Sequence, residues 1–506
     1  MRWHHFLVCL LFGLLFLYFS YLPIAGNQIW RSVWQGNWIV ENGIADFDPA
    51  LPLADGTRTV THGWLGHIAI SSLHKLGGAH ALTIGFALLQ TLALILWAVI
   101  FNKLGKRSWA GVVAVFVAVG CVPFLWGLQP AVVCQLLFAG IVLTMTSVGD
   151  RDNEKDQWTW EWSSAPTWAW MLVGLLFLLW VNFDVSFVVG LVFAAVLAVS
   201  RLIDHFRCMA DQSIMQDKEL WRRTWLFELF LLLTLVQPIG LGLWQSALWW
   251  PENSLVVGMG GWSSLVLVSW PGVTVVTAWV FWIACSRTTS KIPTWSLLTV
   301  VAASIGVAVC QNSLVWFALL MAMATFAMLP RTQQTVAEEA PSPEPQSADE
   351  NRPLKFAFTL FCGLAIWIAF SLSPLGSLAL GGKLVNENKL FSRSTPLAAA
   401  NFLQENKPKG LVFAPAYWGD VLQNGVDIIP VFANSNSLPL QVRQDYDAIY
   451  TANAQWRRLM NRYNVTDLLI DKSNQRLLAR ALRKDPGQWK KMFEDEVSIV
   501  FRRERS

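Results

Sequence analysis

Long apolar runs alternate with short polar breaks along the chain up to residue 373. A membrane-spanning helix needs about 20 mostly apolar residues. Runs that approach this length lie at residues 6–25, 82–101, 109–127, 130–148, 167–182, 185–203, 224–245, 264–285, 293–310, 312–329 and 354–373. This hydrophobic pattern predicts a polytopic α-helical membrane protein with about 11 spans.

The pattern changes after residue 374, where charged and apolar residues mix as they do in soluble domains. Short β-rich runs alternate there with helix-like stretches, which is typical of a small α/β domain. The β-rich runs are GLVFAPA, DIIPVFA and DLLIDK, the helix-like stretches are PLAAANFLQENKPKG, QWRRLMNRYN and NQRLLARALRKD, and MFEDEVSIVFRRE resembles a β-hairpin. We therefore predict an α/β domain over residues 374–506.

Lysine and arginine are distributed unevenly among the loops, and in membrane proteins they concentrate on the cytoplasmic side. With a cytoplasmic N-terminus, the loops on that side hold sixteen Lys and Arg residues, whereas the opposite loops before residue 374 hold only Arg31, Arg58 and Lys75. This bias predicts a cytoplasmic N-terminus. It also predicts that the loop 26–81 and the C-terminal domain are extracytoplasmic.

Residues 331–353 interrupt the apolar pattern with an acidic, Pro- and Ser-rich segment. Such a composition is typical of disordered linkers. The sequence thus predicts a membrane domain at residues 1–330, a disordered cytoplasmic linker at 331–353, a last membrane helix at 354–373 and the extracytoplasmic α/β domain.

Composition excludes a soluble protein. Of the 506 residues, 54% are hydrophobic and only 14% are charged, whereas soluble chains carry about 25% charged residues. The seven cysteines lie in apolar runs or in a segment predicted to be cytoplasmic, which disfavours a disulfide framework or a cysteine-ligated metal. The first apolar run lacks a convincing cleavage site and is predicted to remain as a membrane helix.

Polar residues gather at the helix ends that this topology places on the outer face. Asn182 and Asp184 lie between two spans, and Gln311 and Asn312 join two others. Polar groups inside a membrane are unfavourable and usually face a cavity or a partner. Two interpretations stay open: these residues form helix-joining turns, or together they line a polar cavity open to the outer face.

The loop after the first span is rich in polar and acidic residues. Its first half, NQIWRSVWQGNWIVENG, has apolar residues at helical spacing and predicts an amphipathic helix on the outer membrane surface. Asp46 and Asp48 follow, and Asp48 precedes Pro49, which favours an extended or turn conformation there. An Asx-turn at Asp48 is the plain structural interpretation of this pair.

The loop contains no recognisable metal or nucleotide motif. His62, His67 and His74 lack the spacing that places zinc ligands on one helix face. The sequence therefore names no cofactor and leaves a divalent cation open. Nothing in it predicts a nucleic-acid partner.

Short motifs that are typical of one protein family occur along nearly the whole chain. The loop carries Glu41-x-Gly43, Asp48-Pro49, Gly56, His62-x-Trp64-Leu65 and Leu76-Gly77-Gly78. LLWVNFDVSFVVGL is similar to a Trp-x-Asn segment, LVQPIG is similar to an Asn-Pro-x-Gly turn, and the C-terminal domain carries FAPAYWGDVL, YNVTDLLID and EDEVSIVFRR. The whole resembles the bacterial GT-C-type glycosyltransferase-like membrane proteins, relatives of enzymes that use polyprenyl-phosphate sugars.

The resemblance implies a sugar donor linked to a polyprenyl phosphate, an acceptor on the outer face and inversion at the sugar. A carboxylate in the first outer loop takes the proton of the acceptor hydroxyl, and Asp48 is the predicted base with Asp46 second. Arg58 and His62 are the predicted phosphate contacts, because cationic groups stabilise a phosphate leaving group. The residues predicted to line the cavity or stack on the substrate are Asn182, Asp184, Gln311, Asn312, Trp64 and Trp262.

Several positions depart from the family pattern. Gly63 stands where an acid is common before the loop tryptophan, Asp184 stands where a histidine is common, and Gln129 and Gln311 stand near positions that are usually basic. FANSNS (432–437) stands where an Asp-Gly-Arg-like turn is usual. These lost charges favour an alternative, a non-catalytic GT-C-fold relative that acts as a membrane scaffold or assembly protein.

Three classes of function stay open: a membrane glycosyltransferase, such a scaffold, and a transporter or flippase. The transporter is disfavoured because the helices show no clear repeated halves. The resemblance implies a bacterial inner (cytoplasmic) membrane location, with a lipid-linked sugar and membrane lipid as partners. The sequence does not name the sugar, the acceptor or any protein partner.

Overall fold

The structure is a computed structural model of the chain. It describes residues 3–24, 28–44, 48, 51–54, 62–105, 110–121, 131–148, 150–152, 157–162, 165–208, 213–244, 263–287, 292–328, 352–386, 389–423, 429–436, 438–484 and 487–504. The predicted site residues Asp46, Arg58 and Trp262 lie outside the described residues, as does most of the predicted linker.

Helices build the membrane part, as the apolar runs predict. Helices α1 to α12 span Trp3–Ser20, Gln28–Asn42, Trp64–Gly105, Ala110–Cys121, Ala131–Val148, Thr167–Phe183, Phe187–Cys208, Lys218–Leu233, Trp270–Ser286, Thr294–Val309, Leu314–Met328 and Arg352–Leu372. By length and composition, 4 described helices are able to cross a membrane: Trp64–Gly105, Ala131–Val148, Phe187–Arg207 and Gln311–Met328. Shorter apolar helices of 10–17 residues accompany them. The chain is therefore a mostly helical membrane protein, while the predicted span count and orientation stay predictions.

Two apolar segments differ from their predicted bounds. The last part of the predicted outer loop, from Trp64 onward, and the second predicted span form one element, α3, which breaks at Gly77 and Gly78, where Gly78 has a φ of 59°. Helix α8 ends at Leu233, inside the apolar run 224–245 and just before LVQPIG, the segment that resembles an Asn-Pro-x-Gly turn. The Gln237 side-chain amide donates to the Gly240 carbonyl at 2.7 Å and closes a turn there. The helix therefore ends next to the turn-like segment, earlier than the end of the apolar run.

A short antiparallel hairpin, β1 (Asp150–Asp152) and β2 (Gln157–Glu161), lies between α5 and α6. The chain after it docks on α8, since the Trp162 backbone N–H donates to a Glu219 carboxylate oxygen at 3.0 Å. Glu219 also pairs with Arg223, one turn further along α8, at 3.0 Å. The sequence pattern does not predict this hairpin, because its strands are too short to show a hydrophobic period.

The C-terminal domain is a four-stranded sheet with helices packed on it. Its helices α13 to α18 span Pro374–Ala379, Leu397–Glu405, Ala416–Leu422, Leu440–Tyr450, Trp456–Arg462 and Arg476–Arg483, and its strands β3 to β6 span Leu411–Phe413, Val465–Asp471, Trp489–Glu494 and Ser498–Arg503. The strand order is β3-β4-β6-β5, with β3 parallel to β4 and with β6 antiparallel to both β4 and β5. The predicted terminal hairpin is confirmed. In the run DIIPVFA, predicted as a strand, the described residues 429–433 contribute one bridge, between Val412 and Val431.

The C-terminal domain docks on the chain that follows α1. The Ile24 backbone N–H donates to the Leu390 carbonyl at 2.6 Å, and the Ser392 N–H donates back to the Ile24 carbonyl at 3.0 Å. The rings of Trp30 and Phe391 lie 5.2 Å apart beside this bridge. These contacts join the segment after α1 to the segment before α14, next to α2.

Helix α2 is enclosed by protein. Ile29 and Val33 are buried in the apolar core, while Arg31 and Gln35 are buried on the side that faces the C-terminal domain. The helix was predicted to lie on the membrane surface, and it instead packs between α3 and α15. The apolar spacing of its sequence predicts the helix correctly but does not distinguish a lipid surface from a protein surface.

Gly36 allows α2 to approach α3 closely. A Cβ atom at this position would lie 2.1 Å from the carbonyl oxygen of His67, which is a backbone atom of α3. No side chain fits there unless the two helices move apart.

We expect Gly36→Ala to lower the melting temperature of the detergent-solubilised protein. Overpacking typically destabilises a fold by about 1–3 kcal/mol, which exceeds the gain of about 1 kcal/mol that alanine brings to a helix interior. Gly363→Ala in α12 is the matched control, because nothing lies within 4 Å of a Cβ built there. Equal melting temperatures for the two variants would contradict the close packing of α2 on α3.

Candidate functional site

Asp48 is the predicted catalytic acid that the structure describes. Its side chain is buried, with 6% exposed. Its Oδ2 atom accepts hydrogen bonds from Asn434 Nδ2 at 2.7 Å and from Asn436 Nδ2 at 2.6 Å. Its backbone carbonyl accepts the Leu51 N–H at 3.0 Å, which starts a short turn. The first loop and the C-terminal domain therefore meet at this carboxylate.

A tight turn orients the two asparagines. The Asn434 Oδ1 atom accepts the Asn436 backbone N–H at 2.8 Å, which is the geometry of an Asx-turn. The Gln423 Oε1 atom lies 3.5 Å from Asn434 Nδ2. Both amides thus reach the same oxygen of Asp48, and neutral amide donors satisfy a buried carboxylate oxygen without removing its charge.

A second set of buried polar side chains lies beside this turn. Arg31 Nη1 donates to Ser435 Oγ at 3.3 Å, and Ser435 Oγ donates to Asp420 Oδ1 at 3.0 Å. Arg31 Nε also donates to Gln35 Oε1 at 3.3 Å within α2. We refer to the following residues as the Asp48 cluster: Arg31, Asp48, Asp420, Asn434, Ser435 and Asn436.

Charge is not balanced in this cluster. Asp420 is fully buried in α15, and burial raises its pKa to about 7, with Asp48 adding to the rise while Arg31 and Ser435 oppose it. Burial also lowers the pKa of Arg31, against the attraction of Asp420 and Asp48. Both shifts have one main origin, the burial of Asp420 and Arg31 away from water, which disfavours their charged forms.

Trp64 and Asn182, both predicted as substrate contacts, bind each other. Trp64 Nε1 donates to Asn182 Oδ1 at 2.7 Å, and Asn182 Nδ2 donates to the carbonyls of Leu178 at 2.9 Å and Val236 at 3.3 Å. These bonds join the start of α3, the end of α6 and the segment after α8. Of the two interpretations of Asn182, its contacts fit a helix-joining role.

The turn before α3 explains one departure from the family pattern. Gly63 has a φ of +72°, a backbone conformation that favours glycine. A Cβ atom there would lie 2.6 Å from the carbonyl oxygen of Phe183 at the end of α6. An acidic side chain is therefore excluded at this position. His62, the predicted phosphate contact, is half-buried in the same turn.

The other predicted lining residues have local partners. Asp184 Oδ2 accepts the Ser186 backbone N–H at 3.0 Å, directly after α6. Gln311 and Asn312 are half-buried in a turn between α10 and α11, where the Gln311 backbone N–H donates to the Ser263 carbonyl at 3.1 Å. Each residue thus sits where a helix ends. The predicted polar cavity that would unite them stays a prediction.

The described residues contain no cluster of metal ligands, but they do form an apolar groove. No group of three or more His, Cys, Asp and Glu that could hold a metal ion occurs among them. An apolar groove with a volume of 810 Å³ lies between α1, α3 and α12, and its lining contains none of the predicted site residues. The groove is therefore separate from the Asp48 cluster.

Sequence reasoning missed most of the cluster. Asp48 was identified, but Arg31, Asp420 and the two asparagines were not assigned a role. The sequence does carry a signal: FANSNS is a run of small polar residues between apolar segments, and Arg31 is the only basic residue of α2. Nothing local shows that these two signals meet, because the residues of the Arg31–Ser435 bond are 404 positions apart.

The fold of the chain is similar to that of two solved membrane proteins. No known family model matches the chain, and no curated protein matches it. The archaeal oligosaccharyltransferase AglB from Archaeoglobus fulgidus, in complex with an inhibitory peptide and a dolichol-phosphate, is similar with a TM-score of 0.54 and 12% identity, over 93% of this chain and 69% of that chain. The arabinofuranosyltransferase AftD from Mycobacteria is similar with a TM-score of 0.50 and 14% identity, over 100% of this chain and 40% of that chain.

These two structures are GT-C-type glycosyltransferases, and the chain shares their fold. At such low identity the likeness concerns the fold alone. The predicted GT-C-like membrane fold is therefore confirmed. The predicted bacterial source stays a prediction.

We expect the Trp64–Asn182 bond to stabilise the helix bundle. The double-mutant cycle of Trp64→Phe and Asn182→Ala, followed by thermal unfolding in detergent, should give a coupling free energy of about 1 kcal/mol, the usual net value of a hydrogen bond. Trp168→Phe is the matched control, since Trp168 is 56% exposed on α6. Additive effects of the two substitutions would show that the bond contributes nothing.

The raised pKa of Asp420 predicts how stability depends on pH. Because the folded protein binds this proton more tightly than the unfolded chain, the stabilising contribution is present below the usual aspartate pKa and is lost as the pH rises through about 7. We expect the melting temperature of the wild type to fall between about pH 5 and about pH 8 by more than that of Asp420→Asn. Glu405→Gln, on the exposed face of α14, should follow the wild type. The same fall in all three proteins would contradict the prediction.

Proposed function

We propose that this chain is a membrane glycosyltransferase that transfers a sugar from a polyprenyl-phosphate donor to an acceptor hydroxyl with inversion. The observation that carries this proposal is the shared fold over nearly the whole chain with AglB and AftD. One of these structures contains a dolichol-phosphate, which is a lipid-linked phosphate of the same chemical class. The likeness extends through the membrane helices and the C-terminal domain, where the Asp48 cluster joins the two.

In this proposal Asp48 is the general base, and Asp46 is the second candidate. A hydroxyl is a poor nucleophile until a nearby carboxylate takes its proton. The two amide bonds to Oδ2 support this role because they fix the plane of the carboxylate. A fixed orientation matters, since a misplacement of about 1 Å lowers rates by up to about 10²-fold.

The remaining site residues are proposed by position. Arg58 and His62, in the same loop, would bind the phosphate of the donor and stabilise it as it leaves. The residues proposed to line the acceptor and lipid side are Trp64, Asn182, Asp184, Gln311, Asn312 and Trp262. A divalent cation bound at the phosphate is compatible with this chemistry. The proposed orientation is an N-terminus in the cytoplasm and a C-terminal domain outside a bacterial inner membrane.

A second candidate function is a non-catalytic scaffold with the GT-C fold. One observation favours it. Asp48 is buried, and its hydrogen bond with Asn434 would stabilise the docking of the C-terminal domain whether or not a reaction takes place. In a scaffold the Asp48 cluster would only hold the domain in place. The two functions differ in whether the carboxylate charge is needed once the fold is intact.

We expect Asp48→Asn to abolish sugar transfer while the protein stays folded. The asparagine carbonyl oxygen can still accept both amide bonds, but it cannot take a proton, and general-base catalysis contributes about 10²–10⁴-fold. The measurement is transfer or hydrolysis of a panel of polyprenyl-phosphate sugars by the protein in liposomes. Glu41→Gln is the matched control, because Glu41 is exposed at the end of α2.

Equal turnover by Asp48→Asn and the wild type would contradict the role of Asp48. Absence of turnover of every donor by a folded wild-type protein would contradict the enzyme and favour the scaffold.

A further inference from the structure

Ser435 is the central residue of the asparagine turn. Its neighbours on both sides, Asn434 and Asn436, donate to Asp48. Its own hydroxyl accepts from Arg31 at 3.3 Å and donates to Asp420 at 3.0 Å. A single hydroxyl therefore connects the turn that binds the acid to a buried charged pair, one member on α2 and the other on α15.

We propose that Asp420 and Arg31 are positioning residues for Asp48: through Ser435 they hold the asparagine turn in register with the carboxylate. The C-terminal domain would then determine how the acid in the first loop is oriented. This inference rests on the proposed function for its catalytic consequence. Its structural consequence, the order of the loop at Asp48, is independent of any reaction.

Asp420 occupies a site where a carboxylate is energetically unfavourable. Its side chain has 0% exposure, and among the described residues its Oδ2 atom has no hydrogen-bond partner. A buried carboxylate contributes little net stability compared with an apolar side chain of similar volume, and an unsatisfied buried oxygen is unfavourable. Stability alone is therefore a weak reason for an aspartate here, whereas control of the turn beside Asp48 is a specific one.

The backbone around Asp420 is arranged for this contact. Gly419 precedes it, and a Cβ atom on Gly419 would lie 2.2 Å from the carbonyl oxygen of Ala433. The backbone of α15 therefore packs directly on the segment that precedes the asparagine turn. Asp420 and Ser435 are thereby brought within hydrogen-bond distance by backbone packing as well as by their side chains.

The charges around Asp420 come from three parts of the chain. Arg31 on α2 attracts it and Asp48 in the first loop repels it. His67, near the start of α3, interacts electrostatically with Arg31 and with His62. Removal of the Asp420 charge leaves Arg31 with a neutral partner, so its hold on Ser435 should loosen, and with it the turn that binds Asp48.

The test compares wild type, Asp420→Asn and Ser435→Ala, all as full chains in lipid nanodiscs. Ser435→Ala removes the connecting hydroxyl while Arg31 and Asp420 both keep their charges, so it keeps the test valid where Asp420→Asn folds poorly. Glu405→Gln is the control on the exposed surface of the same domain. The first measurement is hydrogen–deuterium exchange of the Leu51 and Ala54 amides, whose bonds form the turn after Asp48.

We expect both variants to exchange these amides several-fold faster than the wild type and Glu405→Gln. Where the wild type turns over a polyprenyl-phosphate sugar, we also expect kcat to fall roughly 10–100-fold with KM for the donor unchanged, because the acid is misplaced rather than the donor site lost.

Unchanged exchange at Leu51 and Ala54 in both variants would overturn the proposal, and so would a rise in KM with kcat unchanged. If the wild type turns over no donor, the proposed function fails while the exchange result still decides the positioning role.

Discussion

The carboxylate of Asp48 accepts two amide hydrogen bonds from residues 386 and 388 positions further along the chain. The placement of the first loop against the C-terminal domain depends on this contact. A buried carboxylate oxygen needs hydrogen-bond donors, and the asparagine turn supplies them in one orientation of the domain. The contact is polar and directional, so it fixes geometry in a way that apolar packing alone does not.

Helix α2 connects this contact to the membrane helices. It lies between α3 and the C-terminal domain, with its apolar residues facing the bundle and Arg31 facing the asparagine turn. Gly36 lets it lie directly against the backbone of α3. Gly63, directly before α3, lets the chain there lie against the end of α6. The position of the acid is thus connected through backbone contacts to the membrane helices, and through side chains to the outer part of the fold.

Much of the architecture follows from local sequence patterns. Apolar runs predict the membrane helices, since each helix carries its own signal of length and composition. The sequence also predicts the terminal hairpin and the helices in QWRRLMNRYN and NQRLLARALRKD, because each of these segments has a local pattern of its own. Hydropathy does not show the end of α8, because the run stays apolar beyond it. The turn-like segment LVQPIG does indicate it, and Gln237 closes a turn there. DIIPVFA shows the opposite error: it is β-rich in composition, but its described residues, 429–433, pair with β3 through a single bridge.

The candidate site was partly visible in the sequence. Asp48 could be chosen because an acid before proline stands at a family position, and it lies at the contact between the first loop and the C-terminal domain. Asp420, Ser435 and Arg31 could not be assigned, since their importance arises only from contacts between distant segments. Trp64 and Asn182 are predicted substrate contacts, and the hydrogen bond between them, which joins the starts and ends of helices, leaves that prediction untested. A polar side chain at a helix end looks the same in sequence whether it closes a turn or lines a cavity.

The most direct test of the account is a cryo-electron microscopy structure of the protein in lipid nanodiscs with a polyprenyl-phosphate sugar bound. The account predicts that the donor phosphate lies beside the first loop, next to Asp48, while Asn434 and Asn436 still donate to Oδ2. A donor bound at a different face, with Asp48 sealed from it by the C-terminal domain, would contradict the account and leave the Asp48 cluster with a structural role alone.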